Sequence, residues 1–133
     1  MVDVSTPEPE IVVAETAEAL AASTAERVTA VLGTALRTRE EAHLVVTGGG
    51  ILEKVLGALA QPPIRGAIEW QRVHVWWGDE RFVAADSDER NDRPAMSLLF
   101  DHVAVDPARL HRMPASDAAF GNDAEAAGKL PRR

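Results

Sequence analysis

The residues best suited to chemistry fall in two short stretches, Thr47-Gly48-Gly49-Gly50 and Gly78-Asp79-Glu80-Arg81. Consecutive glycines let the backbone take up positive φ and come close to a ligand. Their amides, with the free N–H groups of a following helix, can cradle a phosphate, and the Thr47 hydroxyl adds a donor. A tight strand-to-helix turn that binds nothing is an equal reading of the same residues. The second stretch crowds three charges together. Arg81 carries the planar fork that grips a phosphate or carboxylate. Asp79 and Glu80 can accept sugar hydroxyls or orient a base. A solvated loop closed by a salt bridge is the plainer alternative. Beyond it, Asp86-Ser87-Asp88-Glu89-Arg90-Asn91 ends where a helix should begin. Asn91 suits the N-cap, and Arg90 and Arg93 either assist anion binding or offset the local acidic excess.

Other chemistries lack their residues. The glycines are not followed by Lys-Ser/Thr and do not form G-x-G-x-x-G, so ATP and NAD fit poorly. No serine stands in a nucleophile elbow. His43, His74, His102 and His111 show no metal-ligand spacing, and no metal is expected. His74, between Val73 and Val75, reads as a core or helix-facing side chain. His102 and His111 read as structural or exposed, and Trp76 and Trp77 as packing residues.

The elements that would position these residues follow from periodicity. Ile11-Val12-Val13 is a short β-prone run. Apolar residues at helical spacing predict a helix from Thr16 to Arg37. His43 to Thr47 reads as a buried strand that runs straight into the glycines, with a helix from Ile51 to about Ala60, ended by Pro62-Pro63. Val73 to Trp77 is a second strand, broken at Gly78. Pro94 marks the first turn of a third helix running through Phe100. A short strand is expected near Leu110, and Asp117 should cap a last helix over Ala118 to Ala127. Apolar strands alternating with helices imply an α/β fold with a mostly parallel sheet and helices on both faces. In such sheets ligands bind at the carboxyl ends of the strands, where both unusual stretches fall.

At 133 residues, 46% of them apolar, the chain supports one packed domain, preceded by a flexible acidic leader over residues 1–10. It has no cysteine, which fits a reducing, cytoplasmic setting. No apolar run approaches the roughly 20 residues of a membrane span, and the leader does not read as a secretory signal. A net charge of −7 argues against nucleic acid and anionic membranes as partners.

Four blocks, "LVVTGGG", "IEWQRVHVWWGDERFV", "DSDERN" and "LLFDHVAVDPARLHRMPASD", resemble successive segments of 6-phosphogluconolactonases. The W-x-x-V-H-x-x-W-G-D-E-R pattern, followed by an asparagine ten residues later, is the most specific part. The resemblance covers about residues 10 to 123. It implies a three-layer Rossmann-like fold, shared with glucosamine-6-phosphate deaminases. It also implies hydrolysis of 6-phosphoglucono-δ-lactone, a small phosphorylated sugar lactone, without metal or cofactor. By that likeness Thr47, Gly48, Gly49 and Gly50 lie beside the substrate with Asp79, Glu80, Arg81 and Asn91, and Arg81 meets an anionic group. Family members carry a G-x-G-x-D-G-H segment whose histidine serves as the base. These 133 residues contain no such segment, so the expectation is a partial, C-terminally truncated domain with impaired turnover and no assignable catalytic residue. The alternatives are a non-catalytic sugar-phosphate-binding fragment and a related deaminase or isomerase. An uncovered sheet surface would favour self-association.

Overall fold

The computed structural model describes residues 6–118, 121 and 123–128. Helix α1 spans Ala17–Thr38, capped by the Thr16 hydroxyl, which accepts from the Ala19 amide at 3.0 Å. Strand β1 (Ala42–Val46) leads into α2 (Gly50–Leu59). A one-turn helix α3 (Ile64–Ala67) follows, then a 3₁₀ turn at Trp70–Arg72, then β2 (Val73–Trp77). Helix α4 (Asp92–Leu98) continues into a 3₁₀ turn at Phe100–His102. Another 3₁₀ turn at Pro107–Arg109 precedes β3 (Leu110–His111), and α5 spans Ala124–Gly128.

The sheet runs in the order β1-β2-β3, all parallel. β1 and β2 pair from Ala42 opposite Val73 to Val46 opposite Trp77, so both strands end at the same level. The inward residues Ala42, Val46, Val73, Val75 and Trp77 join Leu32 and Leu36 of α1 and Val55, Leu56 and Leu59 of α2 in one core. Burying each of these larger aliphatic side chains contributes about 1.5–3 kcal/mol before entropy is charged. Trp70 closes the far end of that core. Its indole donates to the Arg65 carbonyl at 3.0 Å and its ring meets Phe100 edge-on.

The long first helix, the two main strands, the helices after them and the short strand at Leu110 are present with adjusted ends, and α3 is an addition that the Pro62-Pro63 punctuation hid. Four readings are corrected. Ile11-Val12-Val13 forms no strand and is exposed. The strands are apolar without alternation, yet their burial does alternate, because α1, α2 and α4 share a core with one face of the sheet and leave Val45 on the other at 65% exposure. Asp117 does not cap a helix: its carboxylate accepts from the Ala85 amide at 3.0 Å. The last helix begins only at Ala124, where the Asp123 carboxylate takes the Ala126 amide. Residues 119, 120 and 122 of the expected helix, and residues 1–5 of the leader, lie outside the described residues.

Candidate functional site at the strand tips

The parallel register brings the two loops together. Thr47 and Gly78 directly follow the paired residues Val46 and Trp77, and the Gly78 amide donates to the Val46 carbonyl at 2.8 Å. The Thr47 hydroxyl donates to Asp79 Oδ1 at 2.9 Å. From the start of α4, the Asn91 side-chain amide donates to the Asp79 carbonyl (3.3 Å) and to Asp79 Oδ1 (3.4 Å). Asn91 also lies flat against Gly48. A side-chain carbon on Gly48 would collide with Asn91 Oδ1 and stand 2.7 Å from Asn91 Cγ. The next residue, Gly49, has φ 112°, a conformation that L side chains rarely adopt. The glycine run therefore answers two separate demands, close approach at Gly48 and a left-handed turn at Gly49.

Two helices begin at this place, and they differ in what meets their free amides. At α4 the Glu80 carboxylate is already there. Its Oε1 accepts from the Asn91 amide at 2.5 Å and its Oε2 from the Asp92 amide at 2.9 Å. The Glu80 side chain is only 2% exposed. At α2 no side chain caps the start, and the first helical bond is from Glu53 N to Gly49 O. The amides of residues 50–52 thus lie ahead of any intrahelical partner. They sit at the positive end of the helix dipole. An anion arriving at the strand tips finds α4 occupied by a carboxylate and α2 uncapped.

Beneath the loops lies an ion cluster that spacing did not reveal. The Arg90 guanidinium, 3% exposed, forms a bidentate pair with Asp92 (Nη2–Oδ2 2.7 Å, Nε–Oδ1 3.3 Å) and stands 3.6 Å from Glu80. It also donates to the carbonyls of Arg81, Met113 and Pro114. Arg112 Nε adds a bond of 3.1 Å to Asp92 Oδ2. Burial alone would raise the Asp92 carboxyl. The hydrogen bonds and charges of Arg90 and Arg112 outweigh it and hold the group below the usual carboxylate range.

Thr47, Gly48, Asp79 and Asn91 are thus brought into direct contact, with Gly49 and Gly50 next in the chain. Glu80 stands apart in role, since both oxygens are committed to the start of α4 and it reaches the site only by placing Asn91. Asn91 heads the helix without its side chain capping it. Arg81 is exposed, and its guanidinium forms no ion pair among the described residues. Arg90 is structural. Arg93 is exposed and 3.5 Å from Asp88. The one signal that could have exposed the cluster is the alternation Arg90-x-Asp92 just before a helix.

The histidines are placed elsewhere. His43, His74 and His111 form a stacked row on the sheet face opposite the core, with Trp76 on His111 at 3.8 Å between centroids. His102 bonds the Ser97 carbonyl at 2.8 Å. Trp77 packs in the core as read, whereas Trp76 belongs to the outer row.

Comparison with known proteins bears on the family and the fold. The family described as glucosamine-6-phosphate isomerases/6-phosphogluconolactonase matches residues 15–132. A 6-phosphogluconolactonase of Mycobacterium leprae is 45% identical over 103 residues, covering 77% of this chain and 40% of that protein. One from Streptomyces coelicolor is 43% identical over 119 residues, covering 90% and 46%. The chain therefore spans less than half the length of these curated relatives. A solved 6-phosphogluconolactonase structure from Trypanosoma brucei superimposes with a TM-score of 0.74 at 21% identity, over 92% of this chain and 48% of the other, a likeness of fold.

Proposed function

This chain belongs to the glucosamine-6-phosphate isomerase/6-phosphogluconolactonase family, and from that premise we propose that it provides the sugar-phosphate-binding part of an enzyme hydrolysing 6-phosphoglucono-δ-lactone to 6-phosphogluconate in the cytoplasm. The observation that carries this is the uncapped start of α2, next in the chain to the Thr47–Gly48–Gly49 turn that meets Asp79 and Asn91, with Arg81 exposed two residues beyond Asp79. Phosphate is the ligand group that such amides and a free guanidinium take together. Asp79 is fixed by Thr47 and Asn91 through one oxygen, leaving acceptor capacity for a sugar hydroxyl. Thr47, Gly48, Gly49, Gly50, Asp79, Arg81 and Asn91 are the proposed substrate-facing set, with Glu80 positioning Asn91.

Opening a cyclic ester requires an aligned water, a base titrating near neutrality and donors for the developing oxyanion. The phosphate supplies binding energy remote from the reacting carbon, which can be spent on orientation. None of the four histidines is joined by these bonds to Thr47, Asp79 or Asn91. Without a base, general acid–base catalysis forgoes about 10²- to 10⁴-fold in rate. The 133-residue chain by itself should bind 6-phosphogluconate and turn the lactone over little. Calorimetric titration with 6-phosphogluconate, alongside a lactone-hydrolysis assay, checks both halves. Turnover far above the spontaneous rate would overturn the second, and absence of binding the first.

A further inference from the structure

We propose that Arg112, at the tip of β3, is a specificity-determining residue that meets the carboxylate end of 6-phosphogluconate. The sugar chain then lies across the strand tips, with its phosphate at the start of α2 and its first carbon toward β3. This rests on the proposed function and adds to it a residue and a direction.

Leu110 pairs with Val75 and His111 with Trp76, so Arg112 leaves β3 beside Trp77, one step short of the level of Thr47 and Gly78. Val75 is fully buried on the core face. Arg112, two residues on from Val75's partner Leu110, returns to that face. It is the face on which α2 and α4 pack. The 3.1 Å bond from Arg112 Nε to Asp92 Oδ2, at the start of α4, puts the guanidinium on the same side. Each described strand thus delivers a polar group to one end of the sheet: the Thr47 hydroxyl after β1, the Asp79 carboxylate after β2 and the Arg112 guanidinium after β3. The arginines around this end are committed differently. Arg90 is 3% exposed and donates from all three of its nitrogens. Arg93 lies 3.5 Å from the fully exposed Asp88. Arg112 is fixed at one nitrogen while its side chain stays 43% exposed, and among the described residues neither of its Nη atoms donates a hydrogen bond. A guanidinium held at one edge and open at the other is pre-organised for a second, planar partner, because less rotamer freedom is lost on binding.

The ligand has an anion at each end, and the strand tips have a place for each. The uncapped start of α2, directly after β1, suits the phosphate. Neighbouring strands stand about 4.8 Å apart, so the tips of β1 and β3 are about 10 Å apart. An extended phosphorylated aldonic acid is of comparable length. Hydrolysis turns the ester carbon of the lactone into a carboxylate, and a planar carboxylate matches the open fork of Arg112. Asp79 stands between the two ends on β2. Its carboxylate accepts and does not donate, which suits the hydroxyls in the middle of the sugar chain.

Calorimetric titration of the chain with two probes tests this. One is 6-phosphogluconate. The other is glucitol 6-phosphate, which carries a hydroxymethyl group where the carboxylate stands. The parent should bind 6-phosphogluconate more tightly. Arg112→Gln should lower affinity for 6-phosphogluconate at least about tenfold and leave that for glucitol 6-phosphate within about twofold, erasing the preference. Arg112→Lys keeps the charge and loses the fork, so its preference should fall between the two. Asp92 retains both of its bonds from Arg90 in either variant, and circular dichroism should match the parent. If Arg112→Gln does not fold, Arg112→Lys carries the same comparison. The proposal is overturned by equal weakening toward both ligands, which would assign Arg112 to the phosphate or to the shape of the site. Unchanged affinity for 6-phosphogluconate overturns it too. A parent that binds both ligands equally well refutes the carboxylate contact and leaves the phosphate site standing. A parent that binds neither removes the proposed function, and this inference with it.

Discussion

Gly48 has no space for even a methyl group, because Asn91 lies where the methyl would go. Gly48→Ala should displace Asn91 from Asp79, cost about 1–3 kcal/mol by overpacking, and weaken 6-phosphogluconate binding. Denaturant midpoints and calorimetry read the two effects separately. A variant that binds as the parent does would remove Asn91 from the site. Asp92 makes a different prediction. Its folded carboxyl is held below its ordinary value, so the associated stability is present in full above about pH 4, where an unfolded carboxyl is ionised. It is lost as pH falls through the lower, folded value. Asp92→Asn leaves the buried Arg90 with a weaker partner and should cost on the order of 3 kcal/mol at neutral pH. Its stability should also change less than the parent's between about pH 5 and pH 2. Urea unfolding at several pH values shows whether the acid limb flattens.

Among the elements, the contrast between the starts of α2 and α4 decides where an anion can sit. A carboxylate introduced at Ile51, a partly exposed first-turn position of α2, interacts favourably with the helix dipole by about 0.3–1 kcal/mol. It also occupies the proposed phosphate position. Ile51→Glu should therefore leave thermal stability within about 1 kcal/mol of the parent while lowering affinity for 6-phosphogluconate at least about tenfold. Equal loss of both would point to misfolding, and retained affinity would move the phosphate elsewhere. This level also marks what the residue pattern made legible. The long helix, the two strands and the loops at their tips were readable because period, caps and glycines are local signals. Glu80 reads from its neighbours as a ligand-facing carboxylate. Its role at α4 depends on a contact across 11 residues of loop, which no local pattern records. Asp117 misled for the same reason, since its partner is Ala85, 32 residues earlier. Alternating burial in apolar strands was hidden as well, because side-chain type does not say which face a helix covers.

Among the described residues, α1, α2 and α4 pack against one face of a sheet whose strand tips carry the proposed binding chemistry and whose outer face carries aromatic and imidazole rings. No helix among the described residues is long and apolar enough to cross a membrane. The buried Arg90 is the tie that holds this arrangement together. It fastens the loop after β2, the start of α4 and the chain at Met113–Pro114 to a single guanidinium. The charged segment between Gly78 and Asp92 is thereby a closed ring and not a hanging flap. A protease that cuts after arginine must free the side chain to seat it, so limited trypsin treatment should sever the chain at exposed Arg81 well before Arg90. Early scission at Arg90 would mean the ring opens more readily than its bonds suggest.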